Sequence, residues 1–170
     1  MGGQVLGAIF NIFKTDFFAE LPEMQEFLEI VVDDEWYPVE KLKVCVKHIR
    51  EKDPKVLNEI GRSWARRGLS ALGDESDLSP KDVLLTGFSQ YKMQHRGTVK
   101  EVGTVVCTED AANENKVIVS DYSIYRCDII MYLFLTLVEE SGGKNVTYHH
   151  PDHSCRNKGF PYCRYEITWD

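Results

Sequence analysis

The chain has 170 residues, enough for one domain with a hydrophobic core and few for two. Its 20 lysines and arginines are outnumbered by 27 aspartates and glutamates, for a net charge of −7, and no long basic segment stands out, which disfavours direct binding to nucleic acid. The longest apolar run, Ile129 to Val138, falls well short of the roughly 20 residues of a membrane span. Since the N-terminus lacks signal-peptide features and five cysteines do not suggest a secreted disulfide framework, we expect a single cytoplasmic domain over residues 1–170.

Four helices are predicted in the first half of the chain. The first covers Pro22 to Val32, and Pro38 starts the second, as a proline does in the first turn of a helix. The second helix carries four apolar side chains at helical spacing on one face: Leu42, Cys45, Val46 and Ile49. Cys45 is therefore expected to be a small core residue rather than a ligand.

The third helix starts at Asp53-Pro54 and ends at Gly68 or continues towards Gly73. A polar stretch from Gly73 to Ser79 indicates a loop. Ser79-Pro80-Lys81-Asp82 is typical of a helix start, with an N-cap serine, a first-turn proline and an acidic third residue. The fourth helix is expected to run towards His95. Three residues of the third helix are predicted to point inward: Leu57, Ile60 and Trp64.

The second half of the chain changes to an alternating pattern. Residues 99–107 alternate like a strand, and Val117 to Val119 is predicted to pair with them as a hairpin. An almost wholly apolar helix follows from Ile124 to Glu140, capped by Asp121 or Ser123. Lys144 to His149 and Tyr162 to Trp169 are the last strands. We expect an α+β fold, with N-terminal helices packed on a four-stranded antiparallel sheet and β-β-α-β-β order in the C-terminal half.

Histidines and cysteines are concentrated near the C-terminus. Cys127 lies in the first turn of the apolar helix, and Cys155 and Cys163 flank a short turn. His150 shares a strand face with Tyr148, so position favours it over His149. Three thiolates and one imidazole would close a structural zinc site, with Asp152 or His153 as replacements for His150. The alternative is an exposed histidine-rich loop with two free cysteines.

The segment Cys155 to Trp169, CRNKGFPYCRYEITW, contains the pattern GxPxCxxxxxW after an upstream cysteine. It resembles the C-terminal signature of 4-vinyl reductase domains, which belong to the superfamily of nitric-oxide-signalling and Golgi-transport ligand-binding domains. Leu57 to Arg62 and the β-β-α-β-β order fit the same group. The resemblance implies a zinc held by Cys127, Cys155 and Cys163, with His150 where the family has a glutamate.

The resemblance also implies an interior pocket for a small hydrophobic molecule. Residue type alone is equally consistent with a filled core, because large aromatic side chains are usually buried. The pocket is predicted to be lined by Trp36, Trp64, Phe88, Tyr91, Met131 and Phe134.

The same superfamily includes haem-based nitric oxide sensors, which need an axial histidine on the helix before the sheet and a Tyr-x-Ser-x-Arg motif for the haem propionates. The segment Tyr122 to Arg126, YSIYR, lies at the right place, with Ile124 in place of the serine. His95 lies near the axial position. Haem bound through His95, Tyr122 and Arg126 is therefore the alternative to zinc as the cofactor.

The main functional prediction is a non-catalytic sensory module with structural zinc that binds a small hydrophobic ligand. Its signal would pass to a separate protein partner, or across a homodimer formed by the N-terminal helices, and a homodimer is expected. A haem-based nitric oxide or gas sensor is the alternative, and a scaffold of the trafficking-complex type is a third function. An enzyme is disfavoured, because the sequence shows no pairing of nucleophile and base, no glycine-rich phosphate loop and no redox cofactor motif.

Overall fold

The structure is a computed structural model that describes residues 2–71 and 78–170, apart from the side chain of Phe88. The predicted loop from Gly73 to Ser79 falls largely outside the described residues. Within them the chain forms seven α-helices: α1 Asn11–Thr15, α2 Gln25–Ile30, α3 Val39–Lys52, α4 Val56–Ala71, α5 Pro80–Gln94, α6 Val99–Val102 and α7 Cys127–Glu140. The same residues form seven strands: β1 Gln4–Leu6, β2 Trp36–Pro38, β3 His95–Arg96, β4 Val105–Asp110, β5 Asn113–Asp121, β6 Thr147–His149 and β7 Cys163–Thr168.

A four-stranded antiparallel sheet forms one layer of the molecule, in the order β4-β5-β7-β6. The register pairs Asp121 with Cys163 and His149 with Glu166. Helices α5 and α7 pack beside this sheet, α4 packs on α7, and α7 is buried along most of its length. The predicted α+β fold is therefore confirmed, including the β-β-α-β-β order of the C-terminal half.

A second, smaller sheet was not predicted. β1 lies between β2 and β3, pairing Val5 with Tyr37 on one side and with His95 on the other. These strands are only two or three residues long, too short to show a period in the sequence. The sheet fixes His95 at the point where α5 ends.

The four predicted N-terminal helices correspond to α2, α3, α4 and α5. A 3-10 turn at Pro22–Met24 precedes α2, and α4 continues past Gly68 to Ala71. The predicted N-cap of α5 is present, since the backbone N–H of Asp82 donates to Ser79 Oγ at 3.2 Å. Cys45 is fully buried in the core, as its position on α3 predicted.

The predicted strand over residues 99–107 begins too early. Residues Val99–Val102 form a short helix, because the Thr98 and Glu101 side chains satisfy each other's backbone N–H groups in a capping box. Gly103, with a φ of 74°, is the C-cap at which this helix ends, and β4 begins at Val105. The alternation of apolar residues predicted a strand here, but the capping box at Thr98 and Glu101 stabilises a helical turn instead.

The predicted start of the apolar helix is also wrong. α7 begins at Cys127 rather than Ile124, and its N-cap residue Arg126 makes no side-chain cap. Asp121 instead accepts a hydrogen bond from the backbone N–H of Ser123 at 2.8 Å, which forms a turn before the helix. The segment from Tyr122 to Arg126 is thus a loop that leads from β5 into α7.

Helices α4 and α7 approach each other closely at Gly61. A methyl group placed on Gly61 would lie 2.3 Å from the backbone oxygen of Ile129 and 2.9 Å from the backbone nitrogen of Leu133. Both contacts are with backbone, which cannot move aside as a flexible side chain can. No helix in the described part of the chain is both long enough and apolar enough to cross a membrane.

We expect Gly61→Ala to destabilise the protein by about 1–3 kcal/mol, because the methyl group forces the two helices apart. Gly68→Ala is the matched control on the same helix, since a methyl group there meets nothing within 4 Å. The control should stabilise by up to about 1 kcal/mol through helix propensity. Urea unfolding of both variants measures the effect, and equal stability of the two would contradict the close approach at Gly61.

Candidate functional site

A cavity of about 690 Å³ lies between α4, α5, α7 and the N-terminal segment Ala8 to Asn11. The side of α5 that faces it carries residues three or four positions apart: Val83, Thr86, Gly87, Gln90, Tyr91 and Gln94. α7 supplies the apolar part of the wall: Ile130, Leu133, Phe134 and Leu137. The cavity is thus mainly apolar, with polar groups along α5, as small-molecule sites usually are.

Three of the predicted pocket residues line this cavity: Trp64, Tyr91 and Phe134. Trp36 and Met131 are not among the lining residues, and the side chain of Phe88 lies outside the described part of the structure. Trp36 instead lies on β2 beneath the Arg96 guanidinium, 3.8 Å from the ring centroid. His95 and Tyr125 are among the lining residues that were not predicted as pocket residues.

His95 is buried at one end of the cavity, with 8% of its surface exposed. Its ring stacks on Tyr91 at a centroid distance of 3.9 Å. Nδ1 lies 2.7 Å from the Tyr91 carbonyl oxygen, and Nε2 lies 2.7 Å from the Tyr125 hydroxyl oxygen. A carbonyl oxygen can only accept, so Nδ1 carries the proton of the neutral ring and Nε2 accepts from Tyr125.

Burial keeps the groups around His95 uncharged. Burial lowers the pKa of His95 from 6.5 to about 4, against a smaller opposing effect of the Tyr91 carbonyl. Burial also raises the pKa of the Tyr91 and Tyr125 hydroxyls above their ordinary value. The imidazole is therefore neutral near pH 7, which is the form that binds a metal ion.

The residues predicted to hold haem propionates lie away from this cavity. Tyr122 is 41% exposed and stacks on Tyr162. The Arg126 guanidinium pairs with Asp128 at 3.1 Å and lines a neighbouring groove of about 320 Å³. α3 supplies most of the rest of that groove: Leu42, Lys43, Val46, Lys47 and Arg50. Tyr125 lines both the groove and the cavity.

A second cluster lies where the loop after β6 meets α7 and β7. The predicted ligand atoms of Cys127, His150, Cys155 and Cys163 lie within 4.8 Å of one another. His150 Nδ1 donates to the Arg164 carbonyl at 3.0 Å, and its buried Nε2 has no hydrogen-bond partner. Asp152 and His153, the predicted replacements, are exposed and do not belong to this group.

The cysteine thiols of this cluster interact with one another. A hydrogen bond from Cys127 lowers the pKa of Cys163 well below its ordinary value, and the same contact raises the pKa of Cys127. Asn157 Nδ2 donates to Cys127 Sγ at 2.8 Å, and the backbone N–H of Arg156 donates to Cys163 Sγ at 3.3 Å. The cluster therefore favours one thiolate, at Cys163.

Arg156 connects this cluster to the cavity wall. Its guanidinium Nη2 donates to Asp121 Oδ2 at 2.6 Å and to the carbonyl oxygen of Tyr125 at 2.7 Å, and Nη1 donates to the Ser123 carbonyl. Burial raises the pKa of Asp121 to about 6 against the lowering effect of Arg156. Near pH 7 the two groups are a buried ion pair that holds the loop before α7.

Comparison with solved structures shows which fold this is. A crystal structure of an H-NOX protein from S. oneidensis in the Fe(II)NO ligation state aligns with a TM-score of 0.72 at 15% identity, over 97% of this chain and 99% of that chain. An NMR structure of an H-NOX domain from Shewanella oneidensis in the Fe(II)CO ligation state has a TM-score of 0.67 at 16% identity, over 97% and 98% of the two chains. A structure from work on haem distortion in the H-NOX family has a TM-score of 0.60 at 13% identity, over 96% and 92%.

No family model matches the chain, and no curated protein matches its sequence. The narrower resemblance to 4-vinyl reductase domains therefore gains no support, whereas the wider superfamily resemblance is supported at the level of the fold. The prediction that zinc is the cofactor is wrong, because the proteins that share this fold are described by ferrous ligation states and by haem. The chain has the fold of H-NOX domains.

We expect the protein to lose stability through His95 as the pH falls, when the cavity holds no ligand. The folded pKa of about 4 lies below the unfolded value of 6.5, so the unfolded chain takes up the proton first. This stability is complete above pH 6.5 and is lost as the pH falls towards 4. Between pH 7 and pH 5 the loss should be about 2 kcal/mol.

Urea unfolding of wild type and His95→Gln at both pH values measures this effect. The stability difference between the two proteins should shrink by about 2 kcal/mol at pH 5. Asp121 has the opposite trend, since its pKa is raised on folding, but it is present in both proteins and cancels in the difference. A difference that does not change with pH would contradict a buried neutral imidazole.

Proposed function

We propose that this chain is a sensor domain that binds haem in the cavity beside His95 and responds to a small gas molecule. The observation that supports this proposal most strongly is the orientation of the His95 imidazole. Its Nδ1 is held by the Tyr91 carbonyl at 2.7 Å, as histidine ligands are commonly held by an acceptor on the ring nitrogen that does not bind the metal. The H-NOX fold supports the same function.

The residues at the cavity fit a haem in three respects. The volume of about 690 Å³ lies within the range of roughly 300–1,000 Å³ of small-molecule sites. The imidazole that would hold the iron is neutral and buried. Arg67 of α4 also lines the cavity and offers a cation to the carboxylates of the group, although it pairs with Asp16 at 2.9 Å. Tyr122 and Arg126 are not assigned to this role.

Bound haem would supply an iron able to take a gas molecule as its ligand, and His95 and the polarity of the surrounding side chains would tune that iron. The apolar side chains Ile130, Leu133 and Phe134 keep the wall along α7 dry. His95 is attached to the end of α5 through the Tyr91 carbonyl and to the loop before α7 through Tyr125. Iron at Nε2 would replace the contact with Tyr125, so a displacement of the imidazole in the haem-bound protein would reach α5 through the Tyr91 carbonyl, which is how a sensor would report its ligand.

Haem titration of the purified haem-free protein tests the proposal. We expect wild type to bind one haem per chain with a sharpened and shifted Soret band, and His95→Gln to bind at least tenfold more weakly. His48→Gln is the matched control, because His48 lies on α3, away from the cavity, 3.8 Å from Glu23. Loss of binding in both variants, or in neither, would contradict His95 as the ligand.

A small hydrophobic molecule in the same cavity is the second candidate. This candidate is favoured by the hydrogen bond from the Tyr125 hydroxyl to His95 Nε2, because both ring nitrogens of His95 then have a hydrogen-bond partner and no metal is needed to satisfy them. The predicted pocket residues Trp64, Tyr91 and Phe134 would contact such a molecule. Native mass spectrometry of the purified protein separates the two candidates by the mass of what is retained.

A separate metal-ligating set, independent of the haem, is proposed at Cys127, His150, Cys155 and Cys163. The unpartnered Nε2 of His150 supports this, because its Nδ1 is already held by the Arg164 carbonyl. Such a set would tie α7 to β7. A homodimer and a protein partner that receives the signal likewise remain proposals.

Cys155→Ser is expected to remove one bound metal equivalent per chain and to lower the unfolding temperature, because metal-binding free energy is gained only by the folded chain. Cys107→Ser is the control, since Cys107 lies on β4 outside the set. Elemental analysis of haem-free protein measures the metal content. The same content in wild type and both variants would contradict the ligand set.

A further inference from the structure

The Tyr125 hydroxyl is hydrogen-bonded to the nitrogen atom of His95 that would bind an iron. The Tyr125 hydroxyl donates to Nε2 across 2.7 Å, and Nδ1 is already committed to the Tyr91 carbonyl. A neutral imidazole has one free lone pair in the ring plane, on the nitrogen without a proton. The hydroxyl and an iron therefore compete for the same lone pair.

The ring of Tyr125 is packed from two sides in this position. It makes edge contacts with Trp64 at a centroid distance of 4.9 Å and with Tyr91 at 6.1 Å. The backbone of Tyr125 is fixed independently, because its carbonyl oxygen accepts from Arg156 at 2.7 Å and its N–H donates to Ser123 Oγ at 3.3 Å. These backbone hydrogen bonds do not involve the ring, so a rotation of the Tyr125 side chain would leave them intact.

The groove on the other side of Tyr125 offers the ring a second position. Tyr125 lines both the cavity and this groove, whose floor is apolar at Leu42, Val46 and Ile124. The groove has a volume of about 320 Å³, and Lys43, Lys47 and Arg50 lie at its edge. An aromatic ring with a polar tip suits such a surface, since the ring packs on the apolar floor and the hydroxyl reaches the polar edge.

We propose that Tyr125 is a gate on the haem site: in the closed state its hydroxyl masks His95 Nε2, and in the open state its ring lies in the groove against α3 and Nε2 is free for iron. This inference rests on the proposed function. It makes haem uptake a two-step event, in which the Tyr125 side chain leaves before the iron binds. The closed state also protects an otherwise unpaired buried nitrogen in the haem-free protein.

Tyr125→Phe should remove the competition and leave the ring packing in place. We expect haem to bind roughly three- to tenfold more tightly to this variant than to wild type, the worth of one hydrogen bond, and to bind faster. Val46→Phe fills the groove and should slow haem uptake by wild-type Tyr125. Tyr148→Phe is the control, because Tyr148 is exposed on β6.

A readout without haem checks the closed state directly. In the haem-free wild type, the ¹⁵N NMR shift of His95 Nε2 should be that of a hydrogen-bonded acceptor, and in Tyr125→Phe it should move towards that of a free acceptor. The same readout in Val46→Phe should match wild type, which shows that this variant folds with the gate closed.

The outcomes separate the gate from the function on which it rests. If wild type, Tyr125→Phe and Val46→Phe bind haem with equal affinity and rate, the gate is wrong and the haem site stands. If none of the three binds haem, the proposed function is wrong. If Tyr125→Phe does not fold, an unchanged uptake rate in Val46→Phe overturns the gate, and an uptake rate several times lower supports it.

Discussion

The hydrogen bond from His95 Nδ1 to the Tyr91 carbonyl determines the chemistry of the cavity. Because a carbonyl oxygen only accepts, this bond fixes the tautomer of the ring and leaves the Nε2 lone pair to accept from the Tyr125 hydroxyl beside the cavity. Burial then keeps the ring neutral. A ligand nitrogen is thus preorganised beside a cavity large enough for a cofactor. The Tyr125 hydroxyl then determines whether that nitrogen is free.

Arg156 connects the cysteine cluster to the residues around His95. Its side chain pairs with buried Asp121 and holds the Tyr125 carbonyl, while its backbone N–H donates to Cys163 Sγ. The loop that carries Tyr125 therefore has the cysteine cluster on one side and the cavity on the other. Any change that moves the turn between Cys155 and Cys163 would displace this loop, and with it the hydroxyl that faces His95.

Much of this arrangement could be predicted from the sequence where a period or a spacing is strong. Helical periodicity located α3, α4 and α5, and the positions of Cys127, His150, Cys155 and Cys163 indicated a cluster whose ligand atoms do lie within 4.8 Å. Whether they bind a metal stays a prediction. Residue patterns could not show that Tyr125 meets His95, 30 positions away, because that contact depends on how the loop before α7 packs. The choice of zinc failed because a local ligand pattern was weighed above the fold.

Resonance Raman spectroscopy of the ferrous protein, purified from cells supplied with a haem precursor, tests the central claim most directly. An iron bound to the imidazole of His95 gives an iron–histidine stretching band, which reports the axial ligand itself rather than the presence of haem. We expect this band in wild type and its absence in His95→Gln. A haem-loaded wild type without the band, or a band that persists in His95→Gln, would contradict His95 as the ligand and with it the function proposed for the cavity.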